Sequence, residues 1–205
     1  MSQEHYFSDQ PNTPEKRRTI TVELSDTHRV SVATSNGIFS PAGVDKGTAI
    51  LLKHAPNPPA DGTFLDIGCG WGPITLRMAL ESPAATVYGI DVNERSRQLT
   101  ADNAQSLGLT NVVVHSPESL PEEVTFDLIW SNPPIRVGKD VLHSIMQQWL
   151  PRLTVGGIAY LVVQKNLGAD SLQTWLAGIL GASFKVDRLT TDKGFRILSV
   201  QRLSA

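Results

Sequence analysis

One cysteine in 205 residues, Cys69, excludes an internal disulfide framework and any zinc site built from several thiolates. Strong charge of one sign is also missing: 18 basic against 20 acidic residues leave a formal net charge of −2. Global attraction to phosphate is therefore absent, and any contact with nucleic acid must be local. No apolar run approaches the roughly 20 residues that cross a bilayer. The first stretch, Met1 to Arg18, is polar and has no apolar core of the kind a secretory signal needs, so the chain reads as soluble and cytoplasmic. His5, His28, His54, His115 and His143 show no metal-ligand spacing, and no metal is expected. Trp71, Trp130, Trp149 and Trp175 read as packing residues.

What is present is a regular alternation of elements. Residues 1–18 read as a flexible arm. Thr19 to Leu24 and Arg29 to Thr34 alternate as two strands around the turn-prone Ser25-Asp26-Thr27-His28, an N-terminal hairpin. Asp45 caps a helix to about His54, and the proline-containing stretch from Ala55 to Gly62 is a stiff linker. Strands at Thr63–Ile67, Val87–Asp91, Asn111–Ser116, Phe126–Ser131 and Ile158–Gln164 then alternate with helices at Pro73–Glu81, Asn93–Leu107, Lys139–Arg152 and Ala169–Leu180. Two last strands, Phe184–Leu189 and Arg196–Arg202, flank a hairpin turn at Thr191-Asp192-Lys193-Gly194. This is an α/β pattern. It implies a Rossmann-like, doubly wound, mostly parallel sheet with an antiparallel C-terminal strand and an N-terminal β-hairpin extension. The expected organisation is one domain over 19–205, with the hairpin and first helix at 19–55 and the core at 63–205.

Two segments carry chemistry. The first is a strand that runs into Gly68-Cys69-Gly70-Trp71-Gly72 and a helix opened by Pro73, a loop in which glycines let backbone turn or approach a ligand. A dinucleotide fingerprint would need a third glycine where Pro73 stands, which argues against NAD. About 20 residues on, Asp91 ends the next strand, the position from which an acid binds ribose hydroxyls. The second segment, Asn132-Pro133-Pro134-Ile135, follows a buried strand at the end where open α/β sheets bind ligands. Prolines lack N–H groups, so the segment offers carbonyl oxygens and one Asn side chain, a rigid row of acceptors. Such a row suits a substrate amine whose lone pair is tied up by conjugation, and it suggests group transfer to nitrogen.

Asp66-Ile67-Gly68-Cys69-Gly70-Trp71-Gly72, Asp91 and Asn132-Pro133-Pro134-Ile135 together resemble the S-adenosylmethionine-dependent methyltransferases of class I. Within that class, Gly37-Ile38-Phe39-Ser40, Asp45-Lys46-Gly47-Thr48-Ala49-Ile50-Leu51-Leu52 and the run from Asn132 to Asp140 resemble the methyltransferase small domain family, which includes guanine-N2 methyltransferases of small-subunit ribosomal RNA. The similarity extends from about Ile38 to Leu203. One departure concerns the third core strand, after which the family usually places an Asp for the adenine amino group. Pro117 stands here, leaving Glu118, Ser116 or backbone alone for that role.

The resemblance implies S-adenosylmethionine as cofactor, held by Asp66, Gly68, Cys69, Gly70, Asp91, Val92 and Asn132. It implies Asn132, Pro133 and Pro134 as the catalytic segment. Ile135, Arg136 and Lys139 are the expected substrate contacts, the two cations lying where a helix N-terminus favours phosphate. The expected partner is ribosomal RNA or the small ribosomal subunit, and the expected reaction is methylation of a guanine exocyclic amine. A methyltransferase for a protein amide or small-molecule amine is the alternative, weakened because related families follow the prolines with a stacking aromatic where this chain has Ile135. A non-catalytic adenosylmethionine-binding ribosome-assembly protein is the other alternative. Target nucleotide and oligomeric state are not legible.

Overall fold

The computed structural model describes residues 14–204. The expected arm over residues 1–18 falls mostly outside that range. Its last five residues do not, and two of them, Arg17 and Arg18, belong to the first strand, β1 (Arg17–Glu23), which pairs antiparallel with β2 (Arg29–Ser35). Side-chain anchors account for the earlier start, since Arg17 reaches Asp102 at 2.5 Å and Arg18 donates to the Pro41 carbonyl at 2.7 Å.

Helix α1 (Lys46–His54) begins at Asp45, whose carboxylate accepts from the backbone N–H groups of Gly47 and Thr48. Such caps contribute about 1 kcal/mol. The core alternation then runs β3 (Thr63–Ile67), α2 (Pro73–Glu81), β4 (Thr86–Ile90), α3 (Glu94–Ser106), β5 (Val112–His115) and β6 (Phe126–Ser131). It continues with α4 (Lys139–Trp149), β7 (Leu153–Gln164), α5 (Ala169–Leu180), β8 (Phe184–Asp192) and β9 (Phe195–Arg202). Seven strands form one sheet in the order β5-β4-β3-β6-β7-β9-β8. All neighbours are parallel except the pairs that involve β9, which lies antiparallel between β7 and β8.

Three further boundaries moved by three residues or more, one of them the end of β8, which runs to Asp192 instead of Leu189 and takes in the first two residues of the expected turn. The helix expected to reach Arg152 ends at Trp149, because Pro151 supplies no N–H and the chain tightens into a 3-10 turn over Leu150–Arg152. Strand β7 starts at Leu153, five residues ahead of Ile158, and takes in Gly156 and Gly157 through a register shift against β6. Glycines accommodate such a bulge at low steric cost.

The sheet is covered on both faces. On one side, Phe64, Trp71, Trp130 and Val162 pack with Leu51 of α1, Leu76 of α2, Leu99 of α3 and Leu24 in the turn of the N-terminal hairpin. On the other, Leu65, Ile129, Leu161 and Leu198 pack with Met146 and Trp149 of α4 and Leu172 and Leu176 of α5. Trp71, Trp130 and Trp149 are fully buried, as packing residues would be. No described helix is long and apolar enough to cross a membrane. The arrangement brings the C-terminal ends of β3, β4 and β6 to one edge, where strand order reverses between β3 and β6. Such a reversal opens a crevice for ligands.

Candidate active site at the switch point

The glycine loop is held by its neighbours. The N–H groups of Gly68 and Cys69 donate to the Ile90 carbonyl at 2.8 and 2.9 Å, which docks the loop on the end of β4. Gly70 N–H donates to one Asp91 oxygen at 2.9 Å, and Asn93 N–H donates to the other at the same distance. Gly68 and Gly70 have φ of +80° and +58°, and a methyl group on either would meet no atom within 4 Å. Both face open space. Gly72 differs: at φ +100° it caps α2, and a methyl there would come within 3.2 Å of Thr100. The first two glycines leave room for a ligand, whereas the third serves packing.

Asp66 lies under this loop. It is fully buried, and one oxygen accepts from Thr75 N–H at 2.9 Å and Thr75 Oγ1 at 2.6 Å, so it steadies the first turn of α2. Its other oxygen, Oδ1, has no hydrogen-bond partner. Burial raises the Asp66 pKa to about 7, the Thr75 hydrogen bonds opposing and the Asp91 charge assisting. An unfolded Asp ionises near ~3.9. Between those values the folded chain keeps a proton that the unfolded chain has released. Stability of the ligand-free protein therefore declines as pH rises from about 4 to about 7, by an amount on the order of 4 kcal/mol. Asp66→Asn should flatten that slope. Urea unfolding at a series of pH values checks it, and equal slopes in both proteins would refute the assignment.

Asp91 is also raised by burial, offset by the Asn93 and Gly70 hydrogen bonds. Burial pushes the Cys69 thiol up as well, which makes it a poor nucleophile. Val92 is 38% exposed beside Asp91. At the end of β5, Ser116 N–H and the Ser116 carbonyl both bond Ser119, while Glu118 is exposed.

Asn132 completes the cleft. Its amide nitrogen donates to Asp45 Oδ2 at 2.7 Å and to Thr48 Oγ1 at 3.0 Å, leaving its amide oxygen outside those bonds. A cleft of about 350 Å³, open to solvent, is lined by Asn132, Asp45, Thr48, Phe39, Gly68 and Gly70, among others. It joins three sequence segments. The carbonyl row after Asn132 is partly consumed, contrary to expectation: Pro133 accepts Ile135 N–H at 2.8 Å and Pro134 accepts Val137 N–H at 3.3 Å. Pro134 sits at φ −75°, ψ 77°, an inverse γ-turn, and each carbonyl keeps one lone pair for another donor.

The expected substrate contacts separate from this cleft. Ile135 packs against the α4 and α5 side of the core. With Lys139, His143, Gly168 and Ser171 it lines a second cleft of about 410 Å³. Lys139 is exposed at the start of α4; the side chain of Arg136 lies outside the described residues. Asp45, Thr48 and Phe39 were missed as site residues. In the sequence Asp45 is a helix cap and the first residue of a family-like segment, and nothing in its local spacing joins it to Asn132. Among the described residues no His, Cys, Asp and Glu cluster could hold a metal.

Comparison with known proteins shows the family and the fold. The methyltransferase small domain profile matches residues 29–199. The uncharacterized protein YbxB of Bacillus subtilis is 32% identical over 98% of this chain and 99% of its own. A ribosomal RNA large subunit methyltransferase G of Pseudomonas entomophila is 29% identical over 71% of this chain, which spans only 41% of that protein. A T. thermophilus 16S rRNA N2 methyltransferase, solved in complex with AdoMet and guanosine, shares the fold at a TM-score of 0.76 and 24% identity, over 92% of this chain and 51% of its own. With the profile covering most of the sequence, this chain belongs to the methyltransferase small domain family.

Proposed function

We propose that this protein is an S-adenosylmethionine-dependent methyltransferase that modifies the exocyclic amine of a guanine in ribosomal RNA. The observation that carries the reading is the oriented amide of Asn132, whose oxygen is left for a substrate N–H in a cleft that also contains the open faces of Gly68 and Gly70. The residues present fit the cofactor. Gly68 and Gly70 leave space for its methionine part, and Asp66 Oδ1 is a buried acceptor with no partner in a region where a cation would be favoured. The two Asp91 oxygens each retain lone pairs beyond their backbone bonds for ribose hydroxyls. Cys69 and Val92 flank those groups in sequence, and Ser116, Glu118 or backbone is left to hold adenine.

Bound adenosylmethionine supplies an electrophilic methyl group. The protein supplies position, which can contribute roughly 7–11 kcal/mol when reacting atoms are held in a near-attack pose. Asn132 Oδ1 and the second lone pair of the Pro133 carbonyl accept the two amine N–H bonds. They draw the lone pair out of conjugation and stabilise the positive charge that grows on nitrogen. Pro134 fixes the turn that aims the Pro133 carbonyl.

An RNA base must be unstacked to enter, and the missing aromatic at position 135 needs a substitute. Phe39 lines the same cleft as Asn132 and is 49% exposed, an apolar face free to stack on a planar ring. Ile135 and Lys139 line the second cleft, where Lys139 serves a flanking phosphate at the N-terminus of α4; Arg136 takes the same role on its position in the sequence alone. That the relatives named for ribosomal RNA are about twice as long bears on this assignment, since the matched segment is the part held in common. The test offers radiolabelled adenosylmethionine with naked small-subunit RNA, naked large-subunit RNA, assembled subunits and total protein separately, followed by digestion to nucleosides or amino acids. Label in N2-methylguanosine is expected. Label in protein alone would refute the RNA substrate, and label at another RNA position would keep the chemistry while removing the guanine assignment.

A further inference from the structure

We propose that Asp45, assisted by Thr48, is a positioning residue that decides which end of the Asn132 amide faces the substrate; this rests on the amine-methylation reading above. An Asn side chain has two ends of nearly the same shape and opposite hydrogen-bonding character. Turned one way it accepts from an amine, and turned the other it confronts the amine with N–H groups. The tetrapeptide alone does not choose between them.

The choice is made by atoms on α1. Asp45 Oδ2 receives the Thr48 hydroxyl at 2.5 Å and the Asn132 amide nitrogen at 2.7 Å. A hydroxyl has a single hydrogen, and Thr48 gives it to Asp45, so its oxygen meets the Asn132 nitrogen at 3.0 Å as an acceptor. Two acceptors thus face one end of the amide. Flipping the amide would place its oxygen against both of them. The Asp45 carboxylate also polarises the amide, which increases the negative charge on the far oxygen and strengthens it as an acceptor.

The helix holds Asp45 in place for this task. Asp45 Oδ1 accepts Gly47 N–H at 2.8 Å and Oδ2 accepts Thr48 N–H at 3.3 Å, so the carboxylate sits on the positive end of α1. Gly47 lets the helix come close: a methyl group there would lie 3.2 Å from Asn132 Oδ1 and 3.1 Å from the Phe195 ring. His54 at the other end of α1 bonds Asp192 at 2.9 Å, which ties the helix to the β8–β9 hairpin that carries Phe195. One carboxylate therefore starts α1 and orients the amide.

Three variants separate orientation from folding. Asp45→Asn and Asp45→Ser keep a good helix cap, but the first brings an amide that can face Asn132 with its own N–H and the second is too short to reach it. Thr48→Val removes the relay and keeps the shape. Each is assayed for kcat with ribosomal RNA from cells lacking the protein, for adenosylmethionine affinity by calorimetry, and for the side-chain amide signal of Asn132 in 15N-labelled protein. Assignment of that signal comes from its absence in Asn132→Ala. Asp45→Asn and Asp45→Ser should lose ~10–100-fold in kcat, the scale for a residue that orients a reacting group, with cofactor affinity held within about threefold. Their Asn132 amide signal should shift and lose protection from solvent exchange. Thr48→Val should show smaller changes of the same kind. A kcat within about twofold of wild type in Asp45→Asn would overturn the proposal, as would a fall in cofactor affinity that matches the fall in kcat. If the wild-type protein methylates no RNA, the functional reading fails, and an unmoved Asn132 signal in Asp45→Ser would then overturn the positioning claim by itself.

Discussion

Asn132→Ala is expected to retain adenosylmethionine binding substantially and to lose methyl transfer by at least ~10² fold, the scale for removing one preorganised transition-state partner. Among the described residues the side chain makes no bond to backbone. Its partners are Asp45 and Thr48; without it Asp45 still accepts from Gly47 and Thr48, and the Thr48 hydroxyl still donates to Asp45, so truncation leaves the helix cap intact. What is lost is the acceptor in the cleft. Single-turnover kinetics with radiolabelled cofactor, alongside calorimetry, measures both quantities, and full activity would rule out the acceptor mechanism. Asn132→Asp is the sharper companion. Judged from the tetrapeptide alone, a carboxylate keeps acceptor capacity and partial activity. In the folded protein it would stand within hydrogen-bond reach of Asp45, where the Asn132 nitrogen now lies 2.7 Å from Oδ2. Two carboxylates at that distance repel and push the new side chain out of place when both are ionised, and lowering the pH lets the pair share a proton and restores the contact. Activity in Asn132→Asp is expected to fall close to that of the Ala variant at neutral pH and to recover partly as pH is lowered.

Gly70→Val is expected to weaken adenosylmethionine binding at least ~10² fold, which corresponds to about 2.7 kcal/mol. Gly70 has open space where its side chain would project, so the valine methyl groups would occupy the cleft itself. Folding pays a smaller cost. At φ +58° a β-branched residue is strained by roughly 1–2 kcal/mol, which the loop motif by itself does not reveal. The Gly70 N–H bond to Asp91 at 2.9 Å and the Thr100 hydroxyl bond to the Gly70 carbonyl at the same distance hold the loop in that conformation. Calorimetry and thermal melting separate the two effects. Unchanged affinity would place the cofactor elsewhere. Gly72→Ala provides the contrast, because a methyl there meets Thr100 within 3.2 Å and should cost stability more than affinity.

Local patterns carried much of this protein. Apolar alternation, the prolines and glycines between elements and the caps Asp45 and Asn93 determined the order and type of the strands and helices, because backbone preferences and side-chain periodicity act over a few residues. The loop from Gly68 to Gly72 and the tetrapeptide at Asn132 were legible for the same reason: each packs its chemical requirement into consecutive residues. Two details needed the fold. The carbonyls of Pro133 and Pro134, expected as a row of acceptors, each give one lone pair to the turn, on Ile135 and Val137. Lys139 and Ile135, expected as substrate contacts beside Asn132, line a second cleft. Partnerships across long separations were decided only by the tertiary structure. Asp45 and Asn132 are 87 residues apart, and Gly70 and Asp91 are 21 apart. No local propensity links such pairs. They meet because a parallel sheet gathers the C-terminal ends of its strands at one edge, and the same close packing brings the N-terminus of α1 against that edge. The sequence by itself determined which groups are available for chemistry; the direction in which Asn132 presents its amide depends on a carboxylate that only the fold brings within 2.7 Å.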